Sequence, residues 1–220
     1  MTTPNSNVSR FKKPHRTPPP PKVLEYEVEI KNTQWPIVYS PMYNISFWGL
    51  EKLHPFDSKK WGRIYKRLKD AGMLNGIPVV EPLEISEEEL LCVHSQAYLD
   101  SLKLMPFVDF KILKSPFHAS CTSGTIIAAR LAIERGWAIN LGGGFHHCCG
   151  DRGGGFCAYA DITLAVKFAM AHFQKVSRVM IIDLDAHQGN GYARDFMNNA
   201  HIYIFDVYNK DIYPNDAYAK

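Results

Sequence analysis

Val179-Met180-Ile181-Ile182-Asp183-Leu184-Asp185-Ala186-His187-Gln188-Gly189-Asn190-Gly191 is the stretch whose reading decides the fold. A short, continuous apolar run that stops at a glycine-punctuated polar segment suits a parallel strand buried on both faces, here Val179–Leu184. Asp183, Asp185 and His187 follow at a spacing of two, which on extended chain puts all three side chains on one face. Two carboxylates directly after so apolar a run are costly to bury unpaired. A cation resolves that cost. Asp and His are both good zinc ligands, and oxygen-rich surroundings also suit a monovalent ion. The plain alternative is a solvated acidic loop.

Working outward, four more segments read as strands: Ile37–Tyr39, Ile77–Val80, Ala138–Leu141 and Ile202–Val207. Helical patterns separate them. Asp161 reads as an N-cap, after which Ile162, Ala165, Val166, Ala169, Met170 and Phe173 recur at helical spacing. Thr122 reads as the cap of a helix running to Arg135, with Gly136 placed to end it. Trp61, Ile64, Tyr65 and Leu68 mark another helix, closing near Gly72, and Ser86 before Glu87–Glu89 marks the start of a further one. Alternating strand and helix gives an α/β class with a mostly parallel sheet, in which ligands bind beyond the carboxyl ends of the strands.

Two more clusters carry chemistry, the first of them at such an end. Gly142-Gly143-Gly144-Phe145-His146-His147-Cys148-Cys149 follows the strand at 138–141. Three glycines allow a sharp turn and a close backbone approach. Read alone, the cluster is also a glycine-rich turn with two surface histidines. Adjacent cysteines chelate poorly, which disfavours a Cys/His zinc site. The loop Asp151-Arg152-Gly153-Gly154-Gly155-Phe156-Cys157-Ala158-Tyr159-Ala160 either presents Phe156 as the aromatic wall of a narrow channel or packs it in the core. Taken together, the clusters point to a metal-assisted hydrolase. Zinc on Asp185 and His187 would activate a water, one of the paired histidines would move its proton, and Asp183 would orient the other ring.

Composition sets the bounds. The chain has 220 residues, 46% hydrophobic and 21% charged, with a net charge of +3. That fits a globular protein, and no apolar run approaches the roughly 20 residues of a membrane span. No apolar h-region opens the chain, so no secretory signal is expected. The first 22 residues carry five positive charges and no acid, leaving −2 on the rest. That distribution argues against a nucleic-acid-binding core. Residues 1–30 read as a disordered, basic, proline-rich arm, with Pro18–Pro21 favouring polyproline II; an SH3-type ligand or an import patch at Lys12-Lys13 is the alternative. Five cysteines without a CxxC pair read as reduced intracellular thiols.

These residues resemble the histone deacetylase family, of the arginase/deacetylase fold. The resemblance covers roughly residues 35–220. It rests on the joint order of Leu53-His54-Pro55-Phe56, Val93-His94-Ser95, Gly143-Gly144-Phe145-His146-His147, Gly155-Phe156-Cys157-Ala158-Tyr159 and Asp183 through Gly191. Trp35-Pro36-Ile37-Val38-Tyr39-Ser40-Pro41, Glu134 through Asn140 and Asp185-Ala186-His187-Gln188 look most like the class IV branch. The resemblance implies a sheet sandwiched by helices and zinc-dependent removal of acetyl or long-chain acyl groups from lysines of histones or other proteins. It implies zinc on Asp185 and His187, with His147 as general base and acid. His146 would be an electrostatic partner oriented by Asp183. Gly155 and Phe156 would line the substrate channel, with Tyr213 placed at the opposite wall. A potassium ion is implied at Asp183, Asp185, His187, Asp206 and the Val207 backbone. Asn190 stands where many members carry the Asp that orients the second histidine.

The family's third zinc ligand, an Asp, and its transition-state Tyr are expected beyond residue 220, so residues 31–220 read as the N-terminal part of a catalytic domain, with a sheet incomplete on its C-terminal side. Two further readings stay open: a catalytically incompetent homologue acting as a binding or regulatory protein, and a hydrolase of acetylpolyamine-type small amides. Corepressor or deacetylase partners, and residence in nucleus or cytoplasm, are what the family implies.

Overall fold

The computed structural model describes residues 31–45, 57–74, 76–104 and 116–219. The arm at 1–30 and the Leu53-His54-Pro55-Phe56 motif lie outside the described residues. In chain order the elements are β1 (Ile37–Val38), α1 (Lys60–Asp70), α2 (Glu87–Leu90), α3 (Gln96–Leu104), α4 (Pro116–Arg135), β2 (Ile139–Asn140), α5 (Asp161–His172), β3 (Val179–Asp183), α6 (Asn190–Phe196) and β4 (Ile202–Asp206). Short 3-10 turns occupy Pro41–Tyr43 and Ala217–Ala219.

The class is α/β, and both strand pairs are parallel. β1 lies beside β2 with Ile37 opposite Ile139, and β3 beside β4 with Val179 opposite Ile202. That second register sets Asp183 opposite Asp206 at the carboxyl ends of the two strands. The expected strand at Ile77–Val80 contracts to one parallel bridge from Val80 to Val38. Pro78 has no N–H to give a ladder, which confines such a run to an edge. Among the described residues the ladders therefore form two two-stranded sheets instead of one continuous sheet.

Helix α4 is the centre of the core. Phe117, Cys121, Ile126, Ile127 and Leu131 are buried with the small Ser120, Ser123 and Gly124 between them, and the charged Arg130, Glu134 and Arg135 are confined to its C-terminal end. It packs along α5 and beneath β1 and β2. Its start corrects the expectation at Thr122: the helix already runs from Pro116, and the Thr122 hydroxyl donates inward to the His118 carbonyl at 2.7 Å. Gly136, at φ 86°, ends it as expected. Ser86 forms a full capping box with Glu89.

Strands β3 and β4 depart from the expected burial on both faces. Val179, Ile181, Ile202 and Ile204 pack on Val166, Tyr192 and Phe196 of α5 and α6. Met180, Ile182, Tyr203 and Phe205 point the other way and are 46–63% exposed. The alternation of a strand sends successive side chains to opposite faces, and among the described residues helices cover only one of them. No helix of the described residues is long and apolar enough to cross a membrane.

Candidate active site

The Gly142–Gly144 turn leaves β2 with Gly143 and Gly144 at φ 83° and 73°. A side chain at 143 would overlap Thr125, Asn140 and Asp161, so only glycine fits there. Asp161 holds the turn in place. Its fully buried carboxylate accepts the Gly144 and Phe145 amides at 2.6 and 2.8 Å, the Thr125 hydroxyl at 2.7 Å and the Ile162 amide at 2.9 Å. Asp161 is thus the first residue of α5, with Ala160 at the cap, and it caps a loop as well as a helix. The turn sends His146 and His147 side by side, with ring centres 4.1 Å apart.

The two rings are held differently. His146 donates through Nδ1 to Asp183 Oδ2 at 2.7 Å, and the Tyr192 hydroxyl reaches the same oxygen at 2.8 Å. Burial alone would lower the His146 pKa, but the Asp183 bond and the charges of Asp183, Asp185 and Asp206 outweigh it, and the net shift is upward. His147 donates through Nδ1 to Asn190 Oδ1 at 2.9 Å. Burial and the neighbouring His146 and His187 pull its pKa down, and the neutral amide does not compensate.

After Asp183 the chain leaves the extended conformation. Asp183 Oδ1 accepts the Asp185 amide at 3.0 Å, and Asp185 Oδ1 accepts the His187 amide at 2.7 Å and lies 3.0 Å from His187 Nδ1. The three side chains therefore do not share one strand face. Asp183 turns back under His146, while Asp185 and His187 border a cavity. Tetrahedral zinc bonds O and N donors at about 2.0 Å, which sets them ~3.3 Å apart, so this pair is close to the spacing of two ligands on one ion. His146 Nε2 stands 3.8 Å from Asp185 Oδ1, and the His147 and His187 ring centres are 5.9 Å apart. The histidine pair and the donor pair thus belong to one site. Among the described residues no group of three or more Cys, His, Asp or Glu forms a complete metal site. Asp185 and His187 match two of the three protein ligands that catalytic zinc generally takes.

Asp206 accepts the Gly189 amide through Oδ2 at 2.9 Å, while its buried Oδ1 has no hydrogen-bond partner. Burial and the facing Asp183 push its pKa up. A buried carboxylate oxygen without a donor, beside a second carboxylate, fits a cation.

The cavity holds about 650 Å³. Gly155, Phe156 and Tyr213 line it, together with Phe145 and Cys157 of the glycine-rich clusters and with Lys60 and Trp61 of α1, to which the sequence assigned no place at the site. Gly155 and Phe156 take φ 52° and 64°, and a side chain at 155 would overlap the His147 ring. Tyr213 meets that ring edge-on at 4.9 Å. Asp183, Asn190 and Asp206 stand behind the lining. Two other supports had no role assigned from the sequence, His94 having entered only within the Val93-His94-Ser95 motif. His94 bridges the Gly150 carbonyl through Nδ1 (2.9 Å) and the Ala160 amide through Nε2 (3.1 Å). Tyr192 anchors Asp183 from α6. None of the five cysteines, all of them described, is in a disulfide, and burial pushes the Cys148 thiol far up, which keeps it an unreactive packing group.

Known proteins share this arrangement of sequence. The Histone deacetylase domain family matches residues 54–220. Histone deacetylase 2 of Arabidopsis thaliana is 52% identical over 200 residues, which cover 84% of this chain and 51% of that protein. Acetoin utilization protein AcuC of Bacillus subtilis is 29% identical over 190 residues, covering 78% of this chain and 48% of that protein. AcuC of a Staphylococcus aureus strain is 27% identical over 186 residues, covering 75% and 47%. The chain spans about half the length of these relatives.

Proposed function

The chain belongs to the histone deacetylase family, and from that premise we propose that its site hydrolyses the side-chain amide of acyl-lysine, as a zinc-dependent deacylase of the class IV branch. The observation that carries the reading is the His146–His147 pair, two touching imidazoles whose pKa values are driven in opposite directions by an aspartate behind one and an amide behind the other. Titratable neighbours pushed apart in this way are suited to divided acid–base roles.

Asp185 and His187 would hold zinc. When bound, zinc would polarise the amide carbonyl and bring the pKa of the attacking water toward ~7. His147, kept neutral, takes a proton from that water through Nε2 as the water oxygen bonds to the carbonyl carbon. The same nitrogen returns the proton to the lysine nitrogen as the C–N bond breaks, leaving amine and carboxylic acid, and the acid's proton then passes to the amine to give ammonium and carboxylate. His146, inclined to imidazolium by Asp183, stabilises the negative charge that develops on the carbonyl oxygen. Phe156 and Tyr213 would flank the methylene stem of the lysine. Asp183 and Asp206 would contribute oxygen ligands to potassium. The class IV resemblance makes acetyl-lysine and long-chain acyl-lysine both candidate substrates.

The test is zinc content together with hydrolysis of acetyl- and myristoyl-lysine peptides. Asp185→Asn and His187→Ala should lose zinc and activity together, whereas His147→Ala should keep zinc and lose at least about 100-fold in kcat. Hydrolysis that persists in His147→Ala, or is missing from a zinc-loaded chain extended to the length of its relatives, overturns the reading. Equal rates on the two peptides would leave a long-chain preference unsupported.

A further inference from the structure

We propose that Asp216 is a positioning residue for His147, acting through Asn190. The proposal rests on the reading of His147 as the proton carrier and adds the group that fixes which ring nitrogen bears the proton.

An asparagine beside a histidine poses a problem that an aspartate does not. A carboxylate can only accept, so it always selects the Nδ1–H form of the ring. A carboxamide has an accepting and a donating end. Turned one way, Asn190 accepts from Nδ1–H and leaves Nε2 free to take a proton from the cavity. Turned the other way, it donates to Nδ1, which places the proton on Nε2 and removes the base. Something must choose the end.

Asp216 makes that choice. Its Oδ2 accepts from Asn190 Nδ2 at 3.1 Å, and being acceptor-only it takes the donating end and leaves Oδ1 for His147. Asp216 is itself clamped. Arg194 donates to both of its oxygens, Nε to Oδ2 at 2.8 Å and Nη2 to Oδ1 at 2.6 Å, the two-pronged geometry that fixes a carboxylate most firmly. The Asp216 side chain is 11% exposed. Arg194 lies one helical turn beyond Asn190 on α6, so one face of that helix presents both ends of the relay. Gln188 Nε2 donates to the Asp216 and Ala219 carbonyls at 3.3 and 3.1 Å and holds the segment that also carries Tyr213. His146 meets its carboxylate directly, whereas His147 meets one at a remove. The ring gains a fixed tautomer without a full negative charge at Nδ1, which suits a base that must stay neutral.

The experiment reads the His147 tautomer by long-range proton–nitrogen NMR of the 220-residue chain labelled with ¹⁵N-histidine, at pH 8, where the ring is neutral. The wild-type chain should show Nδ1–H alone. Asp216→Asn can turn either end toward Asn190 and should give a mixture of tautomers. Asp216→Glu keeps an acceptor and should retain the single form. The exchange Asn190→Asp with Asp216→Asn restores an acceptor next to the ring and should recover it. In hydrolysis, Asp216→Asn should lose about 10- to 100-fold in kcat with little change in KM, and the exchange should regain most of it. A purely structural Asp216 would not be rescued by the exchange. A single Nδ1–H form in Asp216→Asn, or a mixture in the exchanged chain, overturns the proposal. Should Asp216→Asn fail to fold, an Nε2–H ring in the wild type still overturns it. A chain that shows the tautomer changes but hydrolyses no acyl-lysine at any length refutes the functional reading and leaves the relay standing.

Discussion

Asp161 accepts the Gly144 amide at 2.6 Å from the far side of the α4–α5 interface, so the turn that aims the histidine pair hangs on one buried carboxylate. Removing it takes the acceptor from the Gly144 and Phe145 amides of a partly buried turn, while the Thr125 hydroxyl keeps the Cys121 carbonyl at 3.1 Å. A lost acceptor for a buried donor costs about 1–3 kcal/mol, so Asp161→Ala should destabilise the chain by about 2–3 kcal/mol in denaturant titration. Thr125→Ala removes a donor and leaves the other bonds, and should cost about 1 kcal/mol. Equal costs for the two variants would show that Asp161 does not organise the turn.

Gly155 presses against the base. At φ 52°, with the His147 ring where its Cβ would stand, Gly155→Ala must displace either the loop or the imidazole. The strain lies at the cavity, away from the α4–α5 core, so the far-ultraviolet spectrum should be kept. A displacement near 1 Å at the proton carrier costs about 100-fold in rate. Gly154→Ala, where φ is ordinary and the nearest contact is the Tyr213 hydroxyl, should lose much less. Comparable kcat values for Gly155→Ala and wild type would refute the packing argument.

What the sequence disclosed, and what it hid, follows the range of the interactions. The apolar run at 179–182, the Ser86 capping box and Gly136 as a helix stop are local, and the structure keeps them. The proximity of His146–His147 to Asp185–His187 followed from ordered motifs and from the rule that ligands gather at strand ends. Asp161 was read only as a cap, His94 entered only as part of a motif and Asp216 was passed over, because their partners lie 16, 56 or 26 residues away in the chain, and no periodicity marks a buried carboxylate or a histidine bridging two backbone groups. Thr122 looked like a cap because Ser and Thr favour that position, but inside a helix the hydroxyl finds the carbonyl one turn back. The two-faced burial expected of β3 and β4 failed because an apolar run fixes only that both faces are apolar, not which residues cover them.

His94 makes stability depend on pH. Burial holds its pKa down to about 4, because both ring nitrogens are committed to backbone groups and there is no room for a charge. The unfolded chain takes up the proton near pH 6.5 and the folded chain does not, so stability rises with pH across this window and falls on acidification. Between pH 7 and pH 5 the group removes about 2 kcal/mol, with the loss complete only below the folded pKa. His94→Gln, which cannot titrate, should be less stable at pH 7 and should lose about 2 kcal/mol less than wild type on going to pH 5. Parallel stability curves for the two chains would exclude His94 as the source.

Asn190 sets the acid limit of catalysis. Burial and the neighbouring His146 and His187 rings oppose a charge on His147 and the amide at Nδ1 does not offset them, so His147 titrates below the ordinary histidine range and the proton carrier stays neutral into mildly acidic solution. Activity should fall only as pH drops through that lowered value. Asn190→Asp places a carboxylate on the ring nitrogen, favours the imidazolium and should raise the His147 pKa by about 1–3 units. The acid limb of the kcat/KM profile should move to higher pH by the same amount, with the rate reduced most below neutrality. In this variant the new carboxylate also faces Asp216 in place of the amide that now bonds it; Asp216→Asn in the same chain relieves that repulsion, removes a nearby negative charge and should bring part of the rise back. Histidine titration by NMR measures both steps. An unchanged or lowered His147 pKa in Asn190→Asp would mean that burial alone, and not the choice of amide over carboxylate, holds the base neutral.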